Sequence, residues 1–148
     1  MAIREAAPAD LGEITAMVLE HAAHEQSLHL CRFNETDAHD ALFGPEPVLR
    51  ALVAAPDDAP EEVAGFALWY PTFSSWASTR GIWLEDLYVK PPFRRLGLGR
   101  ALLEALRAAT SGRVEWDVLD GNEGAHQFYL SLGAAPVSGW TKYRWTLS

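Results

Sequence analysis

The sequence predicts an α/β (α+β) domain, a central mixed sheet flanked by helices. Three observations carry that expectation. Segments of two-residue alternation are interspersed with segments of helical periodicity along all 148 residues. A strand-like run, Ile82–Val89, leads straight into an arginine- and glycine-rich turn and then a helix-like run. The chain is 49% apolar and 22% charged, an ordinary balance for a globular core. No repeat, low-complexity stretch or linker interrupts it, so residues 1–148 are expected to form one domain.

Taken in order, Ile3–Ala6 reads as a short first strand, ended by Pro8. Asp10 is a candidate cap for a helix running to about His24, with Leu11, Ile14 and Val18 at helical spacing. Residues 25–44 are polar, and Thr36 is a candidate cap for a short helix there. Val48–Ala54 and Val63–Phe73 read as a hairpin joined by the turn Pro56-Asp57-Asp58-Ala59-Pro60. Ser74–Gly81 is a loop holding Trp76, and Ile82–Val89 is the central strand. A helix from Leu98 to about Thr110 would bury Leu98, Leu102, Leu106 and Ala109. Val114–Leu119 alternates as a strand. Asn122 looks like the cap of a helix presenting Ala125, Phe128, Tyr129 and Leu132 on one face and ending at Gly133. Trp140–Leu147 reads as a last strand.

Charge and composition narrow the function. The net charge of −8 argues against general nucleic-acid binding and suits a cationic small substrate. Five of the twelve basic residues nevertheless fall between positions 90 and 107, as if to hold one polyanion. No run reaches the roughly 20 apolar residues of a membrane span, and the start Met1-Ala2-Ile3-Arg4-Glu5 has no apolar signal core. One cysteine, Cys31, excludes an internal disulfide framework and suits a cytoplasmic location. His21, His24, His29 and His39 match no metal-site spacing, so no metal is expected and a solvated or capping role is assigned to them.

The stretch after the central strand is the most informative. Pro91 and Pro92 end the strand, because they lack ladder N–H groups. Gly97 and Gly99 open the backbone, and the helix begins at once, with Arg94, Arg95 and Arg100 around its N-terminus. Unpaired N–H groups and the helix dipole there favour an anion. The Walker ending Gly-Lys-Ser/Thr is absent. The dinucleotide fingerprint fails too, since Leu102 stands where a third glycine would be.

Arg94-x-x-Gly97-x-Gly99 after a strand resembles the coenzyme A pyrophosphate loop of the GNAT N-acetyltransferases. Leu84-Glu85-Asp86-Leu87-Tyr88-Val89 is similar to the matching strand of the diamine (spermidine/spermine) acetyltransferases, and the likeness runs from Ile3 to Trp140. It implies the GNAT fold, with Ile82–Val89 and Val114–Leu119 splayed apart to admit the pantetheine arm, and often a bulge in the central strand. The cosubstrate implied is acetyl-CoA, the acceptor a small-molecule amine, and the assembly a homodimer. Leu87, Tyr88 and Val89 would pair with pantetheine through their backbones. The diphosphate would lie at Arg94, Arg95, Leu96, Gly97, Leu98, Gly99 and Arg100. The arm would meet Asn122, Glu123, Gly124 and Ala125.

Acetyl transfer to an amine requires that the ammonium lose a proton and that the leaving thiolate gain one. Glu85, a carboxylate within an apolar strand, is the candidate that assists deprotonation. Tyr129 is the candidate acid, because Asn122-Glu123 followed by Phe128-Tyr129 resembles the family run whose tyrosine reaches the coenzyme sulfur. For Asp86, which points away from Glu85 on an ideal strand, structure and substrate binding stay equally open. Substrate contacts implied by the resemblance are His24, Glu25, Glu85, Glu115, Trp116 and Asp117. Trp76 and Trp140 are either walls for a cationic amine or ordinary packing. Three positions depart from the family, and the loss of negative charge at the two serine positions weakens the case for a long polyamine. His24 replaces the family tyrosine, Ser74 and Ser75 replace an acidic position before Trp76, and Ser138 replaces another before Trp140. Small diamines and lysine-like amino acids remain as acceptors; a peptide amine, or acetyl-CoA sensing without turnover, is the alternative.

Overall fold

Strands and helices alternate as the periodicity requires. The computed structural model describes residues 1–147. Strands β1 (Ala2–Glu5), β2 (Arg50–Ala55), β3 (Gly65–Ser74), β4 (Thr79–Val89) and β5 (Val114–Glu115) form one sheet in sequence order. Neighbours from β1 to β4 are antiparallel, and β4 and β5 are parallel. Helices α1 (Leu11–His24) and α2 (Glu35–Phe43) lie between β1 and β2. Helix α3 (Leu98–Ala108) makes the crossover that a parallel β4–β5 pair needs. The chain divides into two compact units, Met1–Trp116 and a second that begins at Asp117.

The first unit has its core on both sheet faces. On one face Ala51, Val53, Phe66, Leu68 and Tyr88 pack with Leu11, Ile14, Met17 and Val18 of α1 and Ala38 and Leu42 of α2. Residues of opposite parity, Ala54, Ala67, Trp69, Ile82 and Leu84, are buried on the other face. There α3 packs across the strands and buries Leu98, Leu102, Leu103 and Leu106.

Several boundaries differ from expectation. Thr36 does not cap α2; Asn34 does, its side chain accepting from the Asp37 N–H at 2.9 Å. Asp10 stands at the cap position of α1, but its carboxylate turns back to the Ala7 N–H and to Arg4. Ala109 is exposed because α3 ends before it, and Leu103 takes its place in the core. The strand expected over Val114–Leu119 stops at Glu115, since only Ile82 and Trp83 of β4 offer it parallel partners. No strand forms over 140–147 in the second unit: no ladder pairs with it, although Tyr143, Trp145 and Leu147 keep two-residue alternation.

Candidate active site

The turn between β4 and α3 has the backbone its glycines promise. Gly97 sits at φ +83°, and Arg95 also occupies the left-handed region at φ +66°. A non-glycine residue there is strained by about 1 kcal/mol or more, and such strain gathers where a ligand is held. Gly97 accepts the Ala101 N–H at 3.0 Å, which fixes the first turn of α3. The Arg100 guanidinium meets Glu104 at 2.9 Å one turn on. Arg94 leans back along the strand instead: its Nε donates to the Val89 carbonyl at 2.8 Å, and its guanidinium covers the Tyr88 ring at 5.3 Å.

The strand itself is irregular at the position that matters. Leu68 of β3 faces Asp86 and Trp69 faces Leu84, so Glu85 is an extra residue, a β-bulge. The bulge breaks the alternation that would send Glu85 and Asp86 to opposite faces. The Trp83 indole donates to Glu85 at 2.9 Å, and the pairing of Tyr70 with Trp83 sets that indole on the α1 side. Asp86 faces α1 as well, 3.8 Å from His21. Two consecutive carboxylates therefore lean to one face.

Helix α1 closes that face. His21 lies 3.0 Å from Glu25 and stacks on Tyr88 with ring centres 5.4 Å apart. His24 meets Tyr88 edge-on at 5.7 Å. Burial raises the Asp86 carboxyl above the ordinary aspartate range; His21 pulls the other way, and Glu85 and Glu25 add to the rise. Burial, then the Glu20 carboxylate, raises the Tyr88 phenol. Glu85 itself is exposed. The arrangement can hold an ammonium against several carboxylates and keep one of them, Asp86, a better proton acceptor than a solvated aspartate.

The Acetyltransferase (GNAT) family profile matches residues 15–134. The chain belongs to the GNAT acetyltransferase family. Among curated relatives, mouse thialysine N-epsilon-acetyltransferase is 34% identical over 96% of this chain and 90% of its own length. L-ornithine N5-acetyltransferase of Arabidopsis thaliana is 28% identical over 97% of this chain and 83% of its own. A solved structure of a possible acetyltransferase from Clostridium difficile 630 superposes with a TM-score of 0.81, covering 99% of this chain and 97% of that one. At 19% identity that likeness speaks for the fold alone.

Within this GNAT chain the expected site residues fall into three groups. His24, Glu25, Glu85, Asp86 and Tyr88 are together on the α1 face. Glu115 stands beside Trp83 in the parallel register and is bound by Arg113 at 3.1 Å, while Trp116 closes the first unit. Trp76 lies in the β3–β4 connection, 90% exposed, six strand residues before Glu85 and so about 20 Å along β4. In the second unit Asn122 caps α4 (Glu123–Ser131), accepting the Ala125 N–H at 3.2 Å. Gly133 ends it at φ +89°, with Ala134 N–H bonded to the Tyr129 carbonyl at 3.2 Å. Tyr129 packs its ring against Phe128 at 5.3 Å, and Asp117 pairs with Lys142. His21, read from sequence as a solvated or capping histidine, is the group sequence reasoning passed over. Its spacing of four from Glu25 on one helix was the available signal.

Proposed function

We propose that this enzyme transfers the acetyl group of acetyl-CoA to a primary amine of a small molecule, by direct attack in a ternary complex. The observation that carries the reading is the bulge that sets Glu85 on the same sheet face as Asp86, which lies 3.8 Å from His21 and so beside its partner Glu25. Alkyl ammonium groups have pKa values of about 10, so the acceptor arrives charged. The carboxylates bind that charge, and a carboxylate with a raised pKa takes up the amine proton more readily. Thialysine and ornithine are the acceptors named for the two relatives above, and both carry a side-chain amine next to an amino-acid end. A short diamino compound is the class this site fits.

The chain's own residues suit an acyl carrier with a diphosphate. The left-handed turn at Arg95 and Gly97 and the N-terminus of α3 would hold the diphosphate. Beyond Trp83 no strand of the described residues pairs with the outer edge of β4, so the outward backbone groups between Leu84 and Tyr88 would be open to amides of the carrier arm, while the Val89 carbonyl already accepts from Arg94. When bound, acetyl-CoA supplies the activated acyl thioester. Asn122–Ala125 would contact the arm, and Tyr129 would give its hydroxyl proton to the departing thiolate, both as the motif resemblance implies. The resemblance also implies a homodimer, which sedimentation of the purified protein checks.

Thiol release from acetyl-CoA with ornithine, lysine analogues, diamines and peptides tests the reading. We expect turnover with small diamino acceptors, and a fall of about 100-fold in kcat for Tyr129→Phe, the scale of a lost general acid, with acetyl-CoA affinity unchanged. Cofactor binding without thiol release for any amine would overturn the enzyme assignment, and release only with peptides would overturn the substrate class.

A further inference from the structure

We propose that His21 is a positioning residue of the amine site, holding Glu25 back so that Asp86 is the carboxylate left open to the incoming ammonium. The inference rests on the amine-acetyltransferase reading and adds a residue that no motif assigns. His21 sits near the C-terminal end of α1 with its side chain 25% exposed. Its Nε2 lies 3.0 Å from Glu25 Oε1, a hydrogen-bond distance, while its Nδ1 lies 3.8 Å from Asp86 Oδ1, too far for one. Stacking on the buried Tyr88 ring, 24° from parallel, keeps the imidazole from turning to share itself differently.

That difference in distance sorts the two carboxylates. Glu25 has a partner and is drawn down the helix, whereas Asp86 keeps its acceptor capacity beside the bulge and Glu85. A neutral imidazole has one N–H and can serve one carboxylate, and an imidazolium can serve two. An ammonium, with three donors, offers Asp86 a hydrogen bond that the ring, joined through Nε2 to Glu25 and 3.8 Å away at Nδ1, does not. The charged groups around the ring are Glu20, Glu25, Glu85, Asp86, His24 and, across Tyr88, Arg94. Acids outnumber the fixed cation there, so a permanent positive charge at position 21 would compete with substrate for Asp86. A neutral hydrogen-bonding side chain would not.

The test compares His21→Gln, His21→Ala and His21→Lys in the full-length protein, with KM and kcat measured separately for ornithine and for acetyl-CoA. The expected order of amine KM is Lys above Ala above Gln. The lysine variant should be raised about tenfold or more, the scale of a permanent ammonium competing for a partly buried carboxylate, and the glutamine variant within about threefold of wild type. Acetyl-CoA KM should hold in all three. Equal increases across the series, or a loss confined to kcat, would overturn the proposal while leaving the enzyme reading intact. A wild-type protein that binds acetyl-CoA yet acetylates no amine would overturn both. Should a variant fail to melt cooperatively, His21→Asn takes its place in the order, between Gln and Ala.

Discussion

Two aspartates of the first unit respond to pH in opposite directions because their surroundings differ. Asp10 is buried, with its carboxylate bonded to Arg4 at 2.7 and 2.9 Å and to the Ala7 N–H at 2.7 Å. The Arg4 guanidinium holds its carboxyl below the ordinary range, against the opposing effect of burial. The native state thus favours the charged form, and the stability it contributes is present above the unfolded pKa and lost as pH falls through the native one. We expect Asp10→Ala to lower unfolding free energy at pH 7 by about 2 kcal/mol, the scale of hydrogen bonds to a charged group, with the gap to wild type closing in acid. Asp86 is the reverse case, its carboxyl raised chiefly by burial. Any stability it contributes is present below the unfolded pKa and lost as pH rises through the native one. Asp86→Asn should therefore melt no lower than wild type at pH 7 and lose ground to it only in acid, while amine turnover falls at every pH. Denaturant titrations at several pH values check both, and parallel pH trends for the two variants would contradict the assignment.

At the scale of elements, the bulge in β4 is the feature with the clearest consequence. Glu85 alone lacks a partner in β3, and pairing on either side is regular from Gly65–Val89 to Ser74–Thr79. Deleting Glu85 would let Leu84 and Asp86 follow one another in ordinary alternation, with Leu84 still on the α3 face and Asp86 still toward α1. A folded protein with a melting temperature within a few degrees of wild type is expected, together with loss of acetyl transfer. A deletion variant that unfolds would show that the bulge serves the sheet; one that retains turnover would show that it does not serve the site. Thermal melting and the thiol-release assay decide between these outcomes.

Over the whole molecule, the net charge of −8 should draw a cationic acceptor toward the site. Raising salt from about 50 to about 500 mM shortens the screening length severalfold, so kcat/KM for a dicationic amine should fall markedly and that for a zwitterionic one much less. Equal salt dependence for both would remove steering from the account. Much of the architecture was legible in the chain: α1 and α3 from helical spacing, the central strand from its apolar run, and the left-handed turn before α3 from Gly97. The bulge was legible only as imperfect alternation at Glu85-Asp86, because a one-residue insertion leaves no other trace in composition. The cap of α2 was misplaced by two residues, since Asn34 and Thr36 are both good caps and backbone geometry decides between them. The early end of β5 and the missing strand at 140–147 were not legible, because pairing depends on a neighbour and alternation reports only one strand's side chains. His21 escaped because its meeting with Asp86 joins α1 to β4, far apart in sequence.

The short overlap of β5 with β4 has a practical corollary for anyone dissecting this enzyme. Whatever lies along the open rim from Leu84 to Tyr88 would be gripped through peptide groups, which every amino acid supplies alike. Truncating Leu87 to alanine would leave that grip in place, so a conventional mutagenic scan would report silence from the stretch we propose for the acyl carrier. Replacing single amides there with esters by chemical synthesis would make it audible.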